Sequence, residues 1–209
     1  MAIAYIYDGT LYLALTRECT LACVFCPKTH NRWTVAGNDM SRDGEPSLDE
    51  LIGYAKSIGL AGYKNVAFVG LGEPTIRLDL LVTAGRILRA TGHHVRLVTD
   101  GLASLRAGRD VSSELNGALD EVHVSLNASD AATYARLCPS RFGVSAHAAV
   151  CEFIRAVRAH VPVVKATVVA LPGLDLAACE RLASELGVPL RVRPYFPHKD
   201  GDPHDEPEG

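Results

Sequence analysis

Apolar and polar positions along the chain follow two alternating periods. Short runs rich in apolar and β-branched residues lie at 2–7, 10–16, 65–70, 95–99, 121–127, 163–170 and 189–195, and each predicts a strand. Between them, apolar positions of helical period predict helices at 47–59, 78–90, 112–119, 129–137, 144–159 and 175–186. Ser47, with Glu50 three residues on, forms a capping box for the first helix, and Gly187 closes the last. Asp8-Gly9 supplies the positive φ angles of a tight turn, so the first two runs pair as an antiparallel hairpin. Later strands start near 65, 95, 121, 163 and 189. Their closer spacings suit βαβ units of about 30 residues, and hence a parallel sheet with right-handed crossovers.

The strand faces choose among the sheets this allows. In 121–127, Glu121, His123, Ser125 and Asn127 share one face, while Val122, Val124 and Leu126 share the other. Lys165 falls with Thr167 in the next strand, and Arg191 with Arg193 and Tyr195 in the last. Strands covered by helices on both faces are apolar on both. The pattern therefore predicts an α/β fold whose six main strands curl around a polar interior: a partial (β/α)6 TIM-type barrel with an N-terminal β-hairpin. A closed eight-unit barrel needs about 250 residues. This core spans residues 1–196, and the acidic tail 197–209, with nothing apolar to bury, predicts disorder.

Composition narrows the function classes. The 209-residue chain is 48% hydrophobic, enough for a sizeable core, and its 21 basic against 24 acidic residues give a net charge of −3. No basic run marks a nucleic-acid footprint, so that partner is unsupported. No apolar stretch nears the roughly 18–20 residues of a membrane span, and the N-terminus lacks a signal-peptide pattern, so a cytoplasmic protein is expected. Three of the six cysteines fall within eight residues, Cys19-Thr-Leu-Ala-Cys23-Val-Phe25-Cys26. Such crowding suits metal ligation in a reducing compartment, not a disulfide framework. Three thiolates at this spacing can hold one [4Fe–4S] cluster with a fourth iron left open; a Cys3His zinc site using His30 is the alternative.

The C-x3-C-x-aromatic-C array, with Phe25 as the aromatic, resembles the signature of the radical S-adenosylmethionine (SAM) superfamily. That resemblance implies a [4Fe–4S] cluster on Cys19, Cys23 and Cys26, whose open iron binds SAM, and an electron donor such as flavodoxin or ferredoxin. Gly72-Glu73-Pro74 resembles the family's Gly-Gly-Glu-Pro segment, which implies that Gly72 and Glu73 hold the SAM amino group; Leu71 replaces the first glycine. Thr99-Asp100-Gly101 stands where relatives show Thr-Asn-Gly. Ser125 and Asn127 match the pair aimed at the SAM ribose, and Phe25 and Pro194-Tyr195-Phe196 are placed to border the adenine. Lys165 and Arg193 face the interior and need an anion, either the SAM carboxylate or a substrate group.

The segments Gly108-Arg-Asp110, Tyr134 to Gly143 and Leu186 to Arg193 further resemble the small TatD family-associated radical SAM proteins, a group with no assigned reaction. The expected function is reductive cleavage of SAM to a 5′-deoxyadenosyl radical that takes hydrogen from an unidentified substrate, small or macromolecular. Alternatives are an activase that places a radical on a partner protein and a non-catalytic zinc module. Cys138 is the candidate catalytic thiol, against a packed structural role. Cys151 and Cys179 are expected buried and inert, Ser129 is expected to cap the helix that follows it, and His93, His94, His147 and His160 are expected to face solvent.

Overall fold

The computed structural model describes residues 2–41 and 44–195, so the predicted tail lies outside the described residues. Strands β1 (Ala4–Tyr7) and β2 (Thr10–Leu13) form the antiparallel hairpin, with Asp8 at φ 44° and Gly9 at φ 65° in its turn. A two-stranded ribbon of β3 (Thr34–Val35) and β4 (Asn38–Asp39) follows, which the alternation did not reveal. Then come α1 (Leu48–Ser57), β5 (Asn65–Phe68), α2 (Leu78–Ala90), β6 (His94–Thr99), α3 (Ala103–Ala107) and β7 (Glu121–Ser125). The chain continues through α4 (Ala131–Leu137), α5 (Ser145–Val157), β8 (Val163–Val169), α6 (Leu176–Glu185) and β9 (Leu190–Arg193). The 112–119 segment forms only a 3-10 turn, Ser112–Leu115.

The seven-stranded sheet runs β1-β2-β5-β6-β7-β8-β9, with β2 to β9 all parallel neighbours. Six parallel strands behind an N-terminal hairpin is the arrangement expected from the alternation. Leu11, Leu13, Val66, Phe68, Val95, Leu97, Val122 and Val124 are fully buried, on the side that packs against the helices. The opposite face carries Tyr12, Arg96, Glu121, His123, Lys165, Thr167, Arg191 and Arg193. Arg193 on the last strand lies near enough to Tyr5 and Tyr12 on the first two to interact electrostatically with both. The sheet must therefore curl, with the polar face inside.

Local chemistry explains the helix ends. Ser47 accepts from Glu50 N, and the Glu50 carboxylate accepts from Ser47 N, as the capping box requires. At α4 the cap is Asp130, accepting from Thr133 N, and not Ser129 as expected; the three-residue offset to N3 fits Asp130. His147 is also a correction: it is buried, its Nε2 lies 3.0 Å from the Ala128 carbonyl, and its ring tilts against Tyr134. It falls on the inner stripe of α5, where Ala146, Val150 and Ile154 also lie.

Two helical glycines should respond oppositely to alanine. A Cβ at Gly85 would stand 2.5 Å from the Ala118 carbonyl oxygen, whereas nothing lies within 4 Å of one at Gly53. Gly85→Ala should lower stability by about 1–3 kcal/mol through overpacking. Gly53→Ala should raise it by about 0.5–1 kcal/mol by reducing the entropy of the unfolded chain. Urea unfolding followed by circular dichroism checks both.

Candidate active site

Directly after β2 the chain turns into the cysteine loop at the carboxyl edge of the sheet. Cys19, Cys23 and Cys26 are free, partly exposed thiols. The loop is pinned on two sides. Glu73 N donates to Glu18 O at 2.7 Å, which ties it to the segment after β5. Ala22 N donates to Pro139 O and Val24 N to Leu137 O, at 2.8 and 2.9 Å, and Leu21 bridges Ser140 antiparallel. Within the loop, Leu21 N donates to Cys19 Sγ at 3.4 Å and Cys26 N to Cys23 O at 3.0 Å.

That antiparallel pairing places Cys138 directly opposite Cys23, between two hydrogen-bonded pairs, the position where facing residues come closest. Cys138 is 1% exposed and accepts from Asn127 Nδ2 at 3.3 Å. Its contact with Cys23 is the largest cause, ahead of burial, of a Cys23 pKa far above the usual thiol range. Burial pushes Cys19 up to about 12.

Gly72 is required by space. A Cβ there would meet the Thr16 carbonyl oxygen at 2.2 Å and that of Glu18 at 2.8 Å. Glu73 differs from expectation. It is 3% exposed, and its Oε1 accepts from Thr75 N (3.0 Å), Thr75 Oγ1 (2.6 Å) and Thr99 Oγ1 (2.7 Å), while Oε2 accepts from Asp100 N (2.7 Å). Thr99 shares the helix-facing side of β6 with Val95 and Leu97, so this carboxylate is turned into the rim and away from the interior. Burial, then repulsion from Asp100, raises its pKa to about 7. The carboxylate organises the rim, its acceptor positions filled by donors of the protein itself.

Asp100, where relatives show asparagine, is buried against a residue the sequence reading missed. Arg106 on α3 donates from one terminal nitrogen to Asp100 Oδ2 at 2.7 Å and to Thr20 Oγ1 at 3.2 Å. Its other terminal nitrogen reaches Thr75 Oγ1 and lies 3.8 Å from Glu73 Oε1. One guanidinium thus joins the cysteine loop, the 73–75 segment and the 99–101 turn. Gly101, at φ +76°, completes that turn, and a Cβ there would stand 2.7 Å from Val124 Cγ1.

Ser125 ends β7 facing the interior beside Thr167. Asn127 does not share its strand face. The strand stops at Ser125, and Asn127 sits at φ 57°, which breaks the pleat; its side chain is buried and given to Cys138. Lys165 faces the interior but is paired, its Nζ 2.7 Å from Glu121 Oε1. His123 and His94 also reach Glu121, at 2.8 and 3.3 Å. Phe25 packs partly buried against the core, Tyr195 is half-buried, and Phe196 lies outside the described residues.

The donor types suit an iron–sulfur cluster, although among the described residues no three Cys, His, Asp or Glu side chains already converge on one point as metal ligands. Three unbridged thiols stand on one short loop, and Tyr134, fully buried, carries a hydroxyl with no hydrogen-bond partner among the described residues. That hydroxyl lies near enough to Cys138, Cys23 and Cys19 to be perturbed by all three, and sulfur acceptors at the loop would satisfy it. His30, which a Cys3His zinc site would need, is exposed with Nε2 2.8 Å from the Val24 carbonyl.

The sequence profile described as "Radical SAM superfamily" matches residues 13–186. A probable GTP 3′,8-cyclase of Methanopyrus kandleri is 31% identical over 192 residues, 88% of this chain and 58% of that protein. The GTP 3′,8-cyclase of Synechococcus sp. (strain CC9902) is 34% identical over 146 residues, 66% of this chain and 37% of that one. This chain therefore spans little more than half, or less, of these relatives. Among solved structures, TYW1 with a lysine-pyruvate adduct superposes with a TM-score of 0.60 at 14% identity, covering 94% of this chain and 68% of that one. HydG, a maturase of the [FeFe]-hydrogenase, gives 0.62 at 15% identity, covering 97% and 47%.

Two predictions arise from this geometry. Burial acts to raise the pKa of Glu121, but its contacts with Lys165, His123 and His94 outweigh it and hold the carboxyl at about 2. The stabilisation is thus complete above the unfolded value of about 4.3 and fades as pH falls toward about 2. Lys165→Met should move the acid-unfolding midpoint, read by circular dichroism, to higher pH. Second, in the cluster-free chain, one equivalent of hydrogen peroxide should oxidise Cys23 and Cys138 to a disulfide with release of two waters, because facing residues at such a position are within bridging distance. Non-reducing peptide mapping should find this pair, and Cys138→Ser should abolish it.

Proposed function

The chain belongs to the radical SAM superfamily, and from that premise we propose that it cleaves SAM reductively to generate a radical that abstracts hydrogen from a substrate. The observation that carries the reading is the free Cys19, Cys23 and Cys26 loop, pinned at the carboxyl edge of a curled parallel sheet where barrel enzymes place their chemistry. Family members use a [4Fe–4S] cluster and SAM, and the bound cluster supplies the electron that breaks a sulfur–carbon bond of SAM.

The protein's own residues bind, orient and exclude water. Cys19, Cys23 and Cys26 hold the cluster, with Leu21 N and the Tyr134 hydroxyl as donors to sulfur. The backbone at Gly72 and Glu73, held by Glu18, meets the SAM amino group, since a carbonyl accepts from an ammonium. Ser125 offers its interior-facing hydroxyl to the ribose, and Phe25 and Tyr195 border the adenine. Asn127 positions Cys138 and closes the wall behind the loop. Thr99 and Asp100 act through Glu73 and Arg106.

Kinship with the TatD family-associated group is supported by the Tyr134 to Gly143 segment, which here contributes Tyr134 and Cys138 to the site. The GTP chemistry named for the longer relatives is theirs, and a phosphorylated substrate is the form in which it extends to this chain. A small electron donor, flavodoxin or ferredoxin, fits the open edge. Six free cysteines suit the cytoplasm, and among the described residues no helix is long and apolar enough to cross a membrane.

Anaerobically purified protein should hold about four irons and four sulfides per chain. Cys19→Ala, Cys23→Ala and Cys26→Ala should each lose them, and Cys151→Ala and Cys179→Ala should not. With dithionite and SAM, 5′-deoxyadenosine and methionine should appear by chromatography. Ser125→Ala should weaken SAM binding about five- to thirtyfold with iron content intact, the cost of one hydrogen bond of about 1–2 kcal/mol. Stoichiometric zinc without sulfide in fresh anaerobic protein would overturn the reading.

A further inference from the structure

The interior face of the sheet carries an imbalance of charge that the cluster and SAM contacts do not use. By register, the inward side chains of β6 to β9 include Arg96, Lys165, Arg191 and Arg193, and Glu121 is the only carboxylate among those described. Glu121 is already shared by Lys165, His123 and His94. Burial, the largest cause, lowers the pKa of His123 and keeps it neutral near pH 7, so it adds no charge. Among the described residues, the guanidiniums of Arg96, Arg191 and Arg193 make no ion-pair contact with a carboxylate, although Arg96 stands beside Glu121 in the register.

Two of these border one feature. Tyr5 and Tyr12 stack with centroids 4.9 Å apart and planes 4° from parallel. Arg96 donates to the Tyr12 hydroxyl at 3.2 Å, with its Cζ 5.9 Å from the ring centroid. Its Nε is buried and has no partner among the described residues. Arg193, across the interior on β9, interacts with Tyr5 and Tyr12 and is repelled by Arg191. Its side chain is reachable by solvent even though protein surrounds it, as expected at a mouth. A buried donor without a partner costs about 1–3 kcal/mol, so Arg96 is held ready for a ligand, and Arg193, open to solvent and without a carboxylate partner among the described residues, is free to turn to the same one.

Building on the function proposed above, we propose that Arg96 and Arg193 bind an oxyanion of the substrate, a phosphate or carboxylate group, in the interior beside the Tyr5–Tyr12 pair. Guanidinium forks match such groups bidentately. The substrate is therefore an anionic small molecule or the anionic end of a larger one. Its oxyanion sits within the curled sheet below the rim, where Thr99, Ser125 and Asp100 stand, and its reacting carbon extends up toward SAM.

Calorimetric titration of the full, cluster-loaded chain with inorganic pyrophosphate, with succinate and separately with SAM tests this. One of the two oxyanions should bind the parent, and Arg96→Gln and Arg193→Gln should each weaken it about tenfold or more while changing SAM affinity less than about twofold. Arg155→Gln, on the exposed side of α5, should change neither. Loss of SAM affinity instead would assign the arginines to the cofactor carboxylate and overturn the proposal, as would absence of binding by both probes or equal binding by all variants. Iron and sulfide content, measured on each sample, reports separately on the cluster, and Arg193→Gln on an exposed edge strand keeps the test open if Arg96→Gln folds poorly.

Discussion

Arg106 holds together a rim that would otherwise repel itself. Glu73 and Asp100 are both buried at the carboxyl ends of adjacent strands, and two carboxylates out of water need a cation or a proton. The guanidinium supplies the cation at 2.7 Å from Asp100 and 3.8 Å from Glu73, and the threonine hydroxyls and backbone amides fill the remaining acceptor positions. The same side chain reaches Thr20, so the cysteine loop is registered against the sheet by the group that neutralises the rim. Gly72 lets the two segments touch, because any side chain there would overlap the Thr16 carbonyl.

Outside that rim, the fold separates two jobs on the two faces of one sheet. The helix-facing side is a continuous apolar core, which supplies stability. The interior side is polar and partly unsatisfied, with Glu121 engaged by Lys165 at its lower end, Arg96 left with a buried unpaired donor on the central strand, and Arg191 and Arg193 on the edge strand β9. Uncompensated groups weaken a fold, so their persistence on one face marks that face as the one made to meet ligands. The second wall of the site comes from the 134–140 segment, whose antiparallel contact with the cysteine loop brings Cys138 and Tyr134 to the thiols.

The sequence alone determined the strands of the main sheet, their polar faces, the six-strand curled sheet and the cysteine array, because each is a matter of local period or spacing, whereas the short β3–β4 ribbon carries no such period. Alternation in 121–125 reads directly as inside and outside, since successive side chains of a strand must point oppositely. The same rule fails at Asn127, where a left-handed φ ends the pleat although the residue pattern continues. Only the tertiary structure decided that Glu73 turns into the rim, that Asp100 is matched by Arg106, and that Cys138 faces Cys23 from 115 positions away. Each of those outcomes depends on a partner distant in the chain or on a short helix without periodicity, and the cost of burying charge, which selects the partner, is set only when both groups leave water together.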